Sequence, residues 1–89
     1  MTTYIVTFDV TDDQKKKKIK EKLKQYKGYC PIHDNCWSII SEQNAVQIRD
    51  FLSKDLSESE RMFVIRSGTE AAWTNPYGSK NSQWLKERL

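Results

Sequence analysis

The stretch Thr3-Tyr4-Ile5-Val6-Thr7-Phe8-Asp9-Val10 constrains the fold more than any other part of the chain. It is dense in β-branched and aromatic residues, which suit a pleated, half-buried surface. It also alternates. Tyr4, Val6, Phe8 and Val10 fall on one face, all apolar, while Ile5, Thr7 and Asp9 fall on the other. Side chains along a strand point to opposite faces in turn, so one face is cut out to carry helices and the other meets something less greasy. The second face ends in a carboxylate. Asp9 either does chemistry there or holds the turn after the strand.

Residues 11–14 read as a helix start. Thr11 can cap, Gln14 stands at the capping-box position, and Asp12 and Asp13 fall in the first turn, where the helix dipole favours negative charge. The helix runs to about Tyr26, with Ile19, Leu23 and Tyr26 as a narrow apolar stripe, and Gly28 as a stop. Lys15, Lys16, Lys17 and Lys18 sit on it, with Lys20, Lys22 and Lys24 behind them. Four consecutive residues point around most of a helical turn and cannot form one flat face. A solvated surface is one reading of the run. Attraction of phosphates is the other, and its candidates are Lys15, Lys16 and Lys18.

Residues 29–32 and 36–40 look like two strands joined by the turn residues His33, Asp34 and Asn35. Reflection about His33 sets Cys30 opposite Cys36. Pro31 cannot donate to a central ladder, so its strand belongs at an edge. Ser41 then caps a second helix over residues 42–53, with Ala45, Ile48, Phe51 and Leu52 as its apolar face. A polar connection over 55–60 leads to a last strand over 61–66. The order β-α-β-β-α-β is the ferredoxin-like pattern. Right-handed crossovers land both helices on one side of the sheet, which suits the apolar face of the first strand. The expectation is an α+β ferredoxin-like sandwich over residues 3–67 with a C-terminal extension over 68–89. Within the extension, residues 69–73 suggest a short helical turn, 75–79 a loop and 82–89 a terminal helix. Trp73 and Trp84 are costly to leave in water and call for cover from the domain or a second subunit.

The chain's 89 residues make one domain, near the lower end of what folds alone. With 37% apolar residues the core is small, and dimerisation is expected. The charged residues are too mixed in sign, and the chain too aromatic, for disorder. No apolar run approaches membrane-helix length, and Asp9 interrupts any signal-peptide core, so the expected setting is cytoplasmic with no membrane partner. A net charge of +3 falls short of the excess carried by a dedicated nucleic-acid module.

Two cysteines in such a setting read as free thiols. Cys30, His33 and Cys36 nevertheless have the spacing C-x2-H-x2-C. Structural zinc takes four ligands, and the chain has no fourth Cys or His, so Asp34 or a second copy would have to complete a site. The alternative is two half-buried thiols and a turn histidine. His33, the only histidine, is a candidate general base, but no acid or base is set beside it in sequence. Tyr4, Phe8, Trp37 and Phe63 lie on strands, where an RNA-binding sheet would carry stacking residues, but Tyr4 and Phe8 belong to the helix-covered face. The open face with Ile5, Thr7 and Asp9 makes a poor stacking platform, which argues against an RNA-binding sheet.

A first strand ending in Phe8-Asp9-Val10, succeeded at once by an acidic helix start and a lysine-rich helix, resembles the CRISPR-associated protein Cas-two. Trp37-Ser38-Ile39-Ile40 occupies the place of that family's Ser-aliphatic-aromatic second strand region. The similarity covers about residues 3–66, and Asp9 is its specific match. Ala71-Ala72-Trp73 and Ser82-Gln83-Trp84-Leu85-Lys86 are similar to short uncharacterised bacterial proteins labelled SinR-like, themselves like Cas-two in fold. The likeness to VapD-type toxins is weaker. The resemblance implies a ferredoxin-like homodimer associated with nucleic acid. It further implies a metal-dependent nuclease of prokaryotic defence or toxin type, in which Asp9 and its symmetry mate hold Mg²⁺ or Mn²⁺. The long, Trp-bearing tail departs from Cas-two. The competing expectation is a non-enzymatic homodimeric interaction module that keeps the fold.

Overall fold

The computed structural model describes residues 2–68 and 79–88. The elements run β1 (Thr2–Asp9), α1 (Asp13–Leu23), β2 (Gly28–His33), β3 (Cys36–Ser41), α2 (Ala45–Leu52), β4 (Arg61–Arg66) and α3 (Ser79–Arg88). The sheet order is β2-β3-β1-β4, and every neighbouring pair is antiparallel. This is a small α+β domain with a four-stranded antiparallel sheet and three helices, an arrangement compatible with a ferredoxin-like fold. Pro31 lies on β2, an edge strand, where its missing N–H disrupts no second ladder.

The helix ends differ from the sequence expectation, and the reason is local hydrogen bonding. Asp12, not Thr11, caps α1: its backbone is extended, and its carboxylate accepts from the N–H groups of Gln14 and Lys15 at 2.9 and 3.2 Å. A carboxylate at a helix start also meets the positive end of the dipole, an advantage a threonine lacks. With the cap shifted by one, Gln14 leaves the capping-box position. Past Leu23 the chain tightens, as Gln25 and Tyr26 donate three residues back to Lys22 and Leu23, so Tyr26 still reaches the core. Ser41 ends β3 instead of capping α2, and its hydroxyl accepts from Gln43 N–H at 3.0 Å. Asn44 caps α2 in a reciprocal box with Gln47, at 2.9 and 3.0 Å.

The hairpin between β2 and β3 turns on Asp34 and Asn35 alone, with His33 already in the ladder opposite Cys36. The turn centred on Asp34–Asn35, and not on His33, sets Cys36 opposite His33; an irregularity between Pro31 and His33 then absorbs one residue, and Cys30 pairs with Ser38 and not with Cys36. An extra residue in one strand shifts every pair beyond it. Cys30 and Cys36 are free thiols, as the sequence suggests.

One face of the sheet carries the core. Tyr4, Val6, Phe8 and Val10 pack with Trp37 and Ile39 of β3, Ile19 and Leu23 of α1, and Ile48 and Leu52 of α2. The opposite face divides in two. On its β2–β3 half, Cys30, Cys36 and Ser38 are buried, and α3 packs against β2. Asn81 of α3 donates to Pro31 O at 3.3 Å, Cys30 Sγ lies 4.0 Å from Asn81 O, and Leu85 is buried. On the β1–β4 half, Phe63 and Ile65 are 60% and 49% exposed. Trp84 is half-buried on α3. Trp73 lies outside the described residues, as do the helical turn expected over 69–73 and residues 75–78 of the expected loop; Ser79, expected in that loop, opens α3 three residues before the expected helix start.

Candidate functional site at the end of the central strand

Strand register decides what Asp9 meets. β1 pairs with β4 so that Asp9 stands opposite Arg61, Thr7 opposite Phe63 and Ile5 opposite Ile65. Paired residues on neighbouring strands project to the same side. Asp9, Thr7 and Ile5 therefore share the face opposite the main core with Arg61, Phe63 and Ile65, on the half that α3 does not cover. On the other flank Thr7 pairs with Cys36, and Cys36 with His33. His33, Cys36, Thr7 and Phe63 thus form one row across all four strands, and the Asp9–Arg61 pair lies just beyond it.

At this end of the sheet lies an open cleft of about 690 Å³, lined by Asp9, His33, Asn35, Arg61, Phe63 and their neighbours. Asn35 joins it because its carbonyl accepts the Phe8 N–H at 3.0 Å, which draws the hairpin turn down to the end of β1. Asn35 Oδ1 is buried with no partner among the described residues. Arg61 Nη1 donates to Asp9 Oδ2 at 3.5 Å, and both side chains are more than two-thirds exposed. An exposed pair at that distance is weak and exchanges readily with other partners.

His33 enters this cleft, although it is 24 residues away from Asp9 in sequence. Strands lie about 4.8 Å apart, so His33 stands roughly 10 Å from the β1 backbone and roughly 14 Å from β4. It lines the cleft without touching Asp9. The spacing C-x2-H-x2-C does not close on itself: the ladder separates Cys30 from the His33–Cys36 pair. Among the described residues no three His, Cys, Asp or Glu side chains converge as a metal-holding group. Burial pushes both thiols, Cys30 and Cys36, above the usual cysteine range.

The α1 lysines do not line this cleft. Lys15 is committed to Glu60 at 2.8 Å, and Lys16 approaches Asp34 at 3.7 Å. Lys20 also pairs with Asp34, and Lys22 reaches Phe51 O at 3.1 Å and Asp55 at 3.9 Å. Lys18 is exposed and, among the described residues, makes no ion pair. Hydrogen bonding from Lys20 holds the Asp34 carboxyl below its ordinary range, and that from Lys15 does the same for Glu60. Lys15 is raised in turn by Glu60. A second groove, about 450 Å³, mixes Lys16, Lys17, Lys20 and Lys24 with Asp13, Glu21 and Asp34. Its carboxylates offset most of its positive charge.

Arg61 is a site residue that the sequence alone does not single out. Phe63 is visible there as a strand aromatic, but only the register with β1 puts it beside Thr7 on the open face, where Ile5, Thr7 and Asp9 alone are expected. No helix among the described residues is long and apolar enough to cross a membrane. Comparison with known proteins supplies no relative: no family model matches this chain, and no curated protein matches it.

Proposed function

We propose that this chain is a nucleic-acid-associated protein of the Cas-two type, whose working surface is the cleft at the end of β1. The observation that carries the reading is the meeting of Asp9, Arg61, His33 and exposed Phe63 at one open end of the sheet. A phosphodiester strand needs cations for its phosphates and an aromatic for its bases, and both kinds stand there. The net charge of +3, short of a dedicated nucleic-acid module's excess, adds only a weak attraction for a polyanion.

A metal-dependent nuclease is the enzymatic form of this reading. Magnesium takes near-octahedral oxygen coordination, commonly one or two carboxylates with water and substrate phosphate. Among the described residues Asp9 is the only carboxylate lining the cleft, and Arg61 stands beside it. One chain therefore does not build the site, and a second carboxylate would come from Asp9 of a second copy across a two-fold axis. When bound there, Mg²⁺ or Mn²⁺ would supply Lewis acidity and neutralise phosphate charge. Asp9 would anchor the ion, and Arg61 would turn from Asp9 to the phosphate. Asp9→Asn is expected to abolish Mg²⁺-dependent cleavage of RNA or DNA, at least ~100-fold, with the melting temperature unchanged. Cleavage that persists undiminished in that variant removes Asp9 from the chemistry.

A second reading is a non-enzymatic homodimeric interaction module. Ile5, Phe63 and Ile65, contiguous on the face that α3 leaves uncovered, favour it. A small protein seldom leaves such an apolar strip in water without use. Here Ile65→Asp is expected to convert a dimer to a monomer in sedimentation equilibrium, since an isologous contact buries the introduced charge twice. A wild-type chain that sediments as a monomer at about 100 μM removes this reading.

A further inference from the structure

We propose that the seam between the end of α1 and the β3–α2 connection binds a free nucleoside monophosphate, with Tyr26 and Phe51 as its aromatic corner and Gln25 and Gln43 as its polar rim. The seam lies far from the cleft at the end of β1. Ser41, at its floor, pairs with Thr2 at the start of β1, and the two places share no lining residue.

The Tyr26 hydroxyl is the starting observation. It is buried and has no hydrogen-bond partner among the described residues. A buried donor in that state costs stability until an acceptor reaches it. Burial also pushes the phenol above its ordinary range, so it remains a donor near neutral pH. Two adjoining hollows of about 220 and 200 Å³ meet at this residue, and both are lined by Gln25, Tyr26 and Gln43. Phe51 completes the first, and Ser41, Glu42 and Lys27 border the second. The backbone of the rim is held in place. Gln25 and Tyr26 donate to Lys22 O and Leu23 O at 3.0 and 3.3 Å, and the Gln43 N–H donates to Ser41 Oγ at 3.0 Å. Such fixing lowers the entropy lost on binding.

The lining calls for a ligand with two unlike halves. Tyr26 and Phe51 meet edge to face, with centroids 6.3 Å apart and planes at 78°, and such a corner suits a third planar group. A glutamine amide presents a donor and an acceptor side by side, the pattern that matches a base edge. The ammonium groups of Lys22 and Lys54 lie 5.2 and 6.0 Å from the Phe51 centroid, which makes that wall positive and favours an acceptor-rich ring. In the second hollow the Glu42 carboxylate suits ribose hydroxyls, and Lys27 suits one phosphate.

The test titrates the full, isotope-labelled chain with the four common ribonucleoside 5′-monophosphates, to about 5 mM, and follows amide signals by NMR. Ribose 5-phosphate is the control. At least one nucleotide is expected to shift Gln25, Tyr26 and Gln43, side-chain amide signals included, and the control to shift them far less. Tyr26→Phe should weaken that binding about 3- to 10-fold, the loss of one neutral hydrogen bond. Its melting temperature without ligand should hold or rise, because the deleted hydroxyl had no partner. Glu42→Gln should lower the preference for the ribonucleotide over its 2′-deoxy form, and Lys27→Ala should remove the salt dependence of binding.

No shift with any of the four nucleotides overturns the site. So do shifts confined to Asp9, His33 and Arg61, which would support the nucleic-acid reading of the cleft instead. Equal binding of ribose 5-phosphate, or a Tyr26→Phe chain that binds as the wild type does, overturns it as well. A lowered melting temperature in Tyr26→Phe shows that water already satisfies the hydroxyl, and counts against the site in the same way.

Discussion

Gly28 opens the edge strand β2 against Ile40, and the fit leaves no room for a methyl group. A Cβ there would stand 2.8 Å from Ile40 Cδ1 and 3.3 Å from its Cγ1. Ile40 is partly exposed, so its end can swing, but Cγ1 must also yield. Gly28→Ala gains a little by restricting the unfolded chain and loses more by overpacking. The net expectation is a loss of about 1 kcal/mol in urea unfolding. Ile40→Val removes the clashing methyl group. The double variant should recover most of that loss, and a double-mutant cycle reads the coupling directly. Fully additive effects would show that Gly28 is selected by something other than Ile40.

At the scale of elements, α3 is the piece that decides which half of the open face is free. It is a polar helix with one anchor among the described residues, Leu85, which is 2% exposed. Below it lie Cys30 and Ser38, and Ser38 Oγ donates to Cys30 O at 3.3 Å. Burial holds the Cys30 thiol in its protonated form, so alkylation waits on undocking of the helix. Leu85→Ala removes that anchor, a substitution that costs about 2–5 kcal/mol in a well-packed site. Iodoacetamide labelling of Cys30 should then accelerate at least ~10-fold at about pH 8, while far-UV circular dichroism changes little. Unchanged labelling would mean that the sheet itself shields the thiol. The same element explains why the exposed apolar strip is narrow: without α3, the face would be open across all four strands.

Across the whole molecule, charge joins parts that the core does not. Lys16 and Lys20 of α1 hold Asp34 on the hairpin turn, and Lys15 holds Glu60 just before β4. The hairpin turn and the start of β4 both border the cleft, so α1 steadies both walls. Asp34 and Glu60 titrate lower in the folded chain than their ordinary values of 3.8 and 4.5. Their contribution is present above the unfolded carboxylate range and is lost as pH falls through the lowered folded values. Lys15 is raised from 10.5, and the two thiols are raised from 9.0. Those contributions are present below the unfolded values and are lost as pH rises through the folded ones. Melting temperature should therefore form a plateau from about pH 5 to 8 and fall on both sides. Asp34→Asn with Glu60→Gln should flatten the acid limb, and about 0.5 M salt should shrink it, since these pairs lie near the surface. An acid limb untouched by both would place its cause elsewhere.

Alternation on β1 is enough to select the core face, because a period of two leaves Tyr4, Val6, Phe8 and Val10 nowhere else to go. The order of elements, the edge position of Pro31 and the free thiols are legible for similarly local reasons. The caps fall one to three residues from where the sequence suggests, since Thr11 and Asp12 compete for the same N–H groups and Ser41 and Asn44 both precede a helix. Only the hydrogen bonds choose between them. The irregularity beside Pro31 and the register it imposes leave no trace in composition. The site itself is half legible. Asp9 stands out at a strand end, but its neighbours His33 and Arg61 come from the β2–β3 hairpin and from β4, 24 and 52 residues away in sequence. Strand pairing is a long-range event, so the sequence determined which face is buried, and only the tertiary structure decided that Asp9, Arg61, His33 and Phe63 share one cleft.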